Sequence, residues 1–389
     1  MRRLSLNMML LAGYGCIVSL VLTGCGGMQV GGSIAPGTHG VSGLPGVVAW
    51  GDSLTLGGQG IADQSSYPSE LQNAITLPVV NMGFDALTST QIGVRQGGVT
   101  TSISVDAPAI PATGSVNVTF PAGYNPVHGA ESESINGTIL GVHGTVTFHP
   151  DTDVFTRSAA GNSVSAPTST PFVVDTPYAK YFPIFWEGMN NPTQVSQVLS
   201  DIARQVATAP SGQDYLVLSL INDNVTSEWA GGPVYANIVA INKQLPAAYG
   251  SHYLDARKVL VDNYDSTMAT DASDYNHDEP PTSLRAVLGK GTLAAAIGPT
   301  DTSFDVNMTT GPLGGRTGMI LTIDTGANQE NVLINATAGT TVTAMRNFGG
   351  ANVAHGAGAP VSILDPSHLN AQGYQLVANA VAQYLLAHE

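Results

Sequence analysis

The chain has 389 residues, with 28 Asp and Glu against 13 Lys and Arg, which gives a formal net charge of −15 at pH 7. Nucleic-acid phosphates and anionic surfaces repel such a chain. The composition therefore argues against nucleic acid as a partner and against electrostatic docking on anionic surfaces. Charged residues make up only 11% of the chain and there are 45 glycines. This composition is typical of an extracytoplasmic protein rich in β structure.

The N-terminus has the features of a lipoprotein signal peptide over residues 1–24. Arg2 and Arg3 precede an apolar stretch over 8–22, and the sequence Leu-Thr-Gly-Cys over 22–25 resembles the box at which such peptides are cleaved before a lipidated cysteine, here Cys25. An ordinary signal peptide or a single membrane helix is the alternative, although the stretch is short for a span. We expect an exported bacterial lipoprotein of the cell envelope, at the outer membrane or cell surface, with a flexible tether over 25–46.

After the tether, an apolar run over 47–50 predicts a buried strand of a parallel sheet. Gly51 ends the run at a tight turn that presents Ser53. The carboxyl end of a strand in an α/β sheet is where such sheets bind ligands. Ser53 is therefore a candidate nucleophile, and a helix-capping serine is the alternative.

A second motif, Asp-Pro-Ser-His over 365–368, lies near the C-terminus. The spacing predicts a helix start with Asp365 as N-cap and Pro366 at the first position, which puts Asp365 and His368 on one face. A carboxylate that orients an imidazole completes the arrangement that activates a serine hydroxyl.

The sequences GDSLT over 51–55 and DPSH over 365–368 resemble the first and last blocks of the SGNH, or GDSL, hydrolase family. The resemblance implies an α/β fold, a three-layer α/β/α sandwich with a parallel five-stranded sheet of the flavodoxin-like SGNH type. It also implies that Ser53 is the nucleophile, His368 the general base and Asp365 its orienter. Donors to an oxyanion would be the N–H groups of Ser53 and Gly83 and the amide of Asn190.

Two asparagines compete for the role of oxyanion donor. Asn190 follows a predicted strand over 181–186 in a Gly-x-Asn turn, whereas Asn222 follows the next strand and has Leu220 where the family has Gly. The order of the strands favours Asn190. Because Gly83 has no side chain, its backbone N–H could approach an oxyanion closely. The alternative is that Gly83 is a turn glycine with no catalytic role.

Two stretches interrupt the α/β pattern with alternating apolar residues and turn residues. They predict an inserted β domain over 93–178, a sandwich or a barrel, and a β module over 289–363. The hydrolase domain would then consist of 47–92, 179–288 and 364–389. The first insert could shape access of the substrate to the site, or it could have no role in the reaction. The sequence leaves both alternatives open.

Other polar residues carry weaker signals. An acidic loop over 262–279 matches no EF-hand, so we interpret it as solvated rather than as a calcium site. His277 within it and His355 are interpreted as surface and structural histidines. Trp50, Trp186 and Trp229 could stack on sugars or lie in the core. We expect no metal and no cofactor.

These motifs predict a serine ester hydrolase that cleaves short acyl esters, possibly on carbohydrate, through an acyl-enzyme. The alternatives are a lipolytic, lysophospholipase-like esterase, acyl transfer to a second sugar, and a non-catalytic glycan-binding surface lipoprotein. Expected partners are a small-molecule or glycan ester and a lipid anchor in the membrane, with no nucleic acid. The sequence does not determine the oligomeric state.

Overall fold

A computed structural model describes residues 43–58, 65–127, 133–150 and 152–388. The strands, in chain order, are β1 Val47–Gly51, β2 Val79–Asn81, β3 Thr101–Val105, β4 Ala109–Ile110, β5 Ser115–Thr119, β6 Glu133–Ile139, β7 Val142–Phe148, β8 Asp153–Arg157, β9 Val164–Ser165, β10 Thr170–Val174, β11 Phe182–Trp186, β12 Leu216–Leu218, β13 Tyr253–Leu254, β14 Arg285–Leu293, β15 Ser303–Thr310, β16 Ile320–Ile323, β17 Glu330–Ala338, β18 Thr341–Gly350 and β19 Pro360–Leu369. The helices are α1 Ser53–Leu56, α2 Tyr67–Ala74, α3 Ser89–Gln96, α4 Val195–Val206, α5 Pro233–Tyr249, α6 Ala256–Val261, α7 Ala269–Asn276 and α8 Ala371–Ala387, with short 3₁₀ turns at Gly250–His252, Thr282–Leu284 and Gly326–Asn328.

Five strands form a parallel sheet in the order β13-β12-β11-β1-β2. All five residues of β1 are buried, and successive side chains point to opposite faces of the sheet. Val47 and Ala49 therefore pack in a core with α2, α6 and α8, while Val48 and Trp50 pack in a second core with α3, α4 and α5. Burial on both faces explains why the strand has no polar residue.

The segment between α3 and β11 forms a closed six-stranded barrel in the order β10-β3-β5-β8-β7-β6, beside the two-stranded pair β4-β9. Its strands alternate buried and exposed residues, as β7 does over seven residues. The inward-facing Phe155 and Phe172 belong to the same core as the sheet face that carries α3, α4 and α5. This first barrel is therefore packed directly on the parallel sheet.

A second closed barrel has the strand order β14-β15-β18-β17-β16-β19 and a core of its own, with Val306 and Val332 at its centre. It begins at Arg285 and ends at Leu369, because β14 pairs with β19 along its length. The second barrel thus extends beyond 289–363 on both sides. Residues 364–369, which the sequence assigned to the parallel-sheet domain, belong to its last strand.

The predicted fold class is wrong for this chain. Of the nineteen strands in the described ranges, five belong to the parallel sheet and fourteen are antiparallel, twelve of them in the two closed barrels. A flavodoxin-like α/β/α sandwich with small β insertions therefore does not describe it. The physical reason is closure: each alternating segment has enough strands to pair every edge, so each forms a closed barrel, and the second barrel has a core of its own.

The predicted helix start at Asp365 is also wrong. Residues 365–368 lie on β19, and α8 begins at Ala371 with Asn370 as its N-cap, whose side chain accepts a hydrogen bond from the backbone N–H of Gly373. Pairing with β14 holds the chain extended as far as Leu369. The capping residue is thus five positions later than the sequence indicated.

The predicted signal peptide over 1–24, Cys25 and most of the tether over 25–46 lie outside the described residues. Within the described ranges, no helix is long and apolar enough to cross a membrane.

Candidate functional site

The site begins at the turn between β1 and α1. Asp52 is the N-cap of α1, and its Oδ1 accepts a hydrogen bond of 3.0 Å from the backbone N–H of Leu54. A Cβ at Gly51 would lie 2.3 Å from the carbonyl oxygen of Trp186, so only glycine fits between β1 and β11. This turn places the half-buried Ser53 at the start of α1, and α1 contacts β19.

The last strand contributes a histidine–carboxylate pair. His368 Nδ1 lies 2.9 Å from Asp365 Oδ2, and Asp365 Oδ1 accepts the backbone N–H groups of Ser367 and His368 at 2.8 and 3.1 Å. The two side chains are 17% and 13% exposed. Nε2 of His368 is buried and has no hydrogen-bond partner among the described residues. The pair therefore leaves one ring nitrogen that a proton can occupy.

The loop after β12 adds two carboxylates. Asp223 Oδ2 accepts the hydroxyl of Ser367 at 2.8 Å, and the backbone N–H of Asp223 donates to Glu228 Oε2 at 2.7 Å. We call Asp52, Asp223, Glu228, Asp365 and His368 the carboxylate–histidine site.

The buried side chain of Arg285 links the loop after β12 to strand β19. Arg285 has no exposed surface, and its Nη1 donates to the carbonyl of Pro366 at 2.5 Å while Nη2 donates to the carbonyl of Asn222 at 3.1 Å. Its Nη2 lies 4.0 Å from the buried Glu279. Arg285 starts β14, so the second barrel fixes the position of the Asp365–His368 pair relative to the β12 loop.

Burial and mutual charge perturb the pKa values of this site. Burial raises the pKa of Asp52 to about 7, against a smaller opposing effect of the Leu54 N–H and the charge of His368. Burial, reinforced by the charge of Asp223, raises the pKa of Glu228 to about 7. Burial alone would lower the pKa of His368, but the hydrogen bond and charge of Asp365, with Asp223 and Asp52, raise it.

Asp365 responds in the opposite sense. Burial acts to raise its pKa, yet the hydrogen bond and charge of His368 and two backbone N–H groups lower it. The site therefore combines an ionised Asp365 with neighbouring carboxyl groups that hold protons near neutral pH.

The predicted oxyanion donors have partners within the chain. The N–H of Gly83 donates to Asn81 Oδ1 at 2.9 Å, and the exposed Asn190 donates through Nδ2 to the carbonyl of Leu87 at 3.0 Å. Asn222 is buried, and its amide donates to the carbonyls of Glu228 and Asp278. The structure thus pairs Asp365 with His368, brings α1, which begins at Ser53, into contact with β19, and engages the N–H of Gly83 with Asn81. The catalytic roles given to these residues and to Asn190 remain predictions.

The interpretation of 262–279 as a solvated loop is wrong. Asp271 and Asp274 are buried on α7, where they accept the backbone N–H groups of Ser283 and Thr282. His277 is half-buried and stacks on Trp229, with ring centroids 4.0 Å apart. In the described part of the chain, no group of three or more His, Cys, Asp or Glu could hold a metal ion.

The tryptophans are not available as sugar platforms. Trp50 and Trp186 are 6% and 1% exposed, and Trp229 has His277 and Phe348 against it. Trp50 and Trp186 are core residues, as one of the two alternatives predicted, and Trp229 is half-buried.

Sequence reasoning missed Asp52, Asp223, Glu228 and Arg285. Asp52 could have been found, because it adjoins Ser53 and follows an apolar strand. Nothing local distinguishes the other three, since they reach the site only through pairings between residues far apart in the chain.

No family model matches the chain, and no solved structure matches it. Among curated proteins, the tail spike protein of Salmonella phage epsilon15 is 24% identical over 259 residues, an alignment that covers 60% of this chain and 24% of the tail spike. The chain thus spans about a quarter of the length of the relative it matches.

These comparisons overturn the resemblance to the SGNH, or GDSL, hydrolases. The motifs over 51–55 and 365–368 are present, but no family model recognises them, and the relative found is a tail spike protein. The predicted serine ester hydrolase, with its lipolytic alternative, is therefore wrong, and the comparison adds no support for a lipoprotein. What the comparisons support is a distant similarity to a tail spike protein, and the structure adds a fold dominated by antiparallel β strands.

Proposed function

We propose that this protein recognises carbohydrate at a cell surface and that the carboxylate–histidine site binds the sugar. The observation that carries the proposal is the buried, unpartnered Nε2 of His368 among hydrogen-bonding carboxyl groups. Carboxylates and imidazoles form charge-assisted hydrogen bonds, which are the stronger ones, and hydroxyl groups can supply their partners.

Electrostatics restricts the class of ligand. Three carboxyl groups, those of Asp365, Asp223 and Asp52, act on His368, and the whole chain carries a net charge of −15. An anionic ligand such as a phosphate or an acidic peptide is repelled by this field. A neutral ligand that is rich in hydroxyl groups fits the site best.

The similarity to a tail spike protein supports a role at a cell surface, although it covers only part of either chain. The predicted export to the cell envelope is consistent with such a role and, like the expected sugar partner, is part of this proposal.

Binding of the full chain to a panel of purified bacterial polysaccharides, Salmonella O-polysaccharide included, tests the proposal. We expect at least one polysaccharide to bind, and we expect His368→Ala to weaken that binding by about tenfold or more. His143→Ala is the matched control, because His143 pairs with Asp175 at 2.8 Å on the first barrel, outside the site. Binding that His368→Ala leaves unchanged would contradict this location of the site.

The pKa pattern favours a second function, cleavage of a glycosidic bond in the bound glycan. The pKa of Asp365 is lowered, whereas the pKa values of His368 and Asp52 are raised. Asp365 can therefore accept a proton, and His368 and Asp52 can hold one that they donate. Incubation of the polysaccharide with the protein, followed by assay of reducing ends and chain size, checks this. Cleavage that His368→Asn abolishes supports it, and an unchanged chain size leaves recognition alone as the function.

A further inference from the structure

The first barrel has a polar cavity of about 490 Å³ at one end. Pockets of this size are typical of small-molecule sites. Seven polar side chains line it, from β5, β8 and the loops that follow β3, β5 and β7: Asp106, Asn117, Thr119, Asn125, His149, Thr152 and Asp153.

Several of these side chains hold one another in place. Asn125 Nδ2 donates to Asp153 Oδ2 at 3.2 Å, and the hydroxyl of Thr119 donates to Asp106 Oδ1 at 3.3 Å. Burial raises the pKa of Asp153, against the opposing charge of His149. The cavity is therefore lined by oriented amide, hydroxyl and carboxyl groups, and a hydroxyl-rich ligand offers a matching set of donors and acceptors.

The lining argues against other ligands. Its two carboxyl groups disfavour anions, and its polar side chains disfavour purely apolar molecules. Nothing in the described ranges groups three metal-ligating side chains there.

Helix α3 connects this cavity to the loop beside the carboxylate–histidine site. Gln91 Nε2 on α3 donates to the carbonyl of Asn125 at 2.8 Å, and the N–H of Ser89 at the start of α3 donates to Asn191 Oδ1 at 3.1 Å. Asn191 follows β11, in the same loop as Met189, whose backbone acts to lower the pKa of Asp52. The two polar regions therefore share one rigid connecting element.

From this arrangement we infer that the barrel cavity is a second carbohydrate subsite, which holds one part of a polymeric glycan while another part occupies the carboxylate–histidine site. The inference rests on the proposed function. A polymer that engages two subsites binds much more tightly than a fragment that fills one, because the second contact is intramolecular.

The test uses the polysaccharide that binds best in the panel, cut into single-repeat and multi-repeat fragments. Asn117 is exposed on β5 and lines the cavity, so Asn117→Trp fills the cavity with a side chain that strands accept well. We expect the full-length Asn117→Trp chain to lose about tenfold or more in affinity for the multi-repeat fragment and to bind the single-repeat fragment as before. Asn136→Trp is the matched control, since Asn136 is an exposed asparagine on β6 outside the cavity.

Asn117→Ala adds no bulk and should also weaken binding of the multi-repeat fragment. It tests the subsite independently in case the Asn117→Trp chain does not fold. Unchanged multi-repeat affinity in both variants overturns the subsite while His368→Ala can still support the proposed function. Loss of single-repeat binding in Asn117→Trp with no effect of His368→Ala overturns both locations. Failure of the wild-type chain to bind any polysaccharide overturns the subsite together with the proposed function.

Discussion

Asp52→Asn should reduce the pH dependence of stability between pH 5 and pH 8. The pKa of Asp52 is about 7 in the folded chain, against an ordinary value of 3.8, because burial penalises its charged form. This difference is about 3 pH units, and each is worth about 1.36 kcal/mol, so ionisation of Asp52 in the fold costs on the order of 4 kcal/mol.

The sign follows from proton binding. Between the two pKa values the folded chain holds a proton that the unfolded chain has released, so the free energy of unfolding falls as pH rises from about 4 through about 7. Between pH 5 and 8 the contribution of Asp52 is about 2.5 kcal/mol. In Asp52→Asn the amide oxygen still accepts the N–H of Leu54, and the titrating group is gone.

Chemical denaturation of the wild type and Asp52→Asn at pH 5, 6, 7 and 8 measures this. The absolute stability of the variant depends on how the new amide N–H groups are accommodated, but the difference between pH 5 and pH 8 should be smaller than in wild type by about 2.5 kcal/mol. Equal pH dependence in the two chains would refute the reasoning. Asp265→Asn checks the sign, because hydrogen bonds from Thr267 lower the pKa of Asp265 and its removal acts in the opposite direction.

Asp365→Asn should lower the pKa of His368 in an NMR titration, because the 2.9 Å hydrogen bond and the charge that raise it are lost. Arg346→Met should lower the free energy of unfolding by about 3–5 kcal/mol in a denaturant titration, because it leaves Glu330 buried without the two hydrogen bonds of 2.8 and 2.7 Å that Arg346 donates. Gly51→Ala should lower the melting temperature, with a destabilisation of about 3 kcal/mol, because its Cβ would lie 2.3 Å from a carbonyl oxygen of β11.

Each of these variants has a matched control. Asp175→Asn removes the partner of the exposed His143 and should leave the titration of His368 unchanged. Lys258→Ala breaks an exposed ion pair with Asp262 and should cost less than about 1 kcal/mol. Gly356→Ala should be tolerated, because nothing lies within 4 Å of a Cβ there. A control that behaves like its test variant would contradict the corresponding argument.

Sequence-local signals predicted much of the secondary structure. Tyr67–Ala74 forms a helix because Ser66 caps it and Pro68 occupies its first turn, and both signals are local in the sequence. The alternation of apolar residues in the two interrupting segments predicted strands, and strands form there. The apolar residues of α8, Ala371–Ala387, likewise recur at helical spacing.

Local signals failed where a distant pairing competes with a capping pattern. Asp365 and Pro366 have the residue types of a helix start, but strand β14 pairs with this segment from about 80 positions earlier and keeps it extended. The same pairing decided the fold class, since it closes the second barrel and moves residues 364–369 out of the parallel-sheet domain.

The amino-acid sequence by itself determined many of the strands and helices, although not the extended segment 365–368 or helix α7, and it placed Asp365 three residues before His368. Tertiary structure alone decided the closure of the barrels, the burial that raises the pKa of Asp52, and the arrival of Asp223, Glu228 and Arg285 beside His368. The physical reason is range: capping and periodicity act over a few residues, whereas strand pairing, desolvation and charge depend on which distant segments meet.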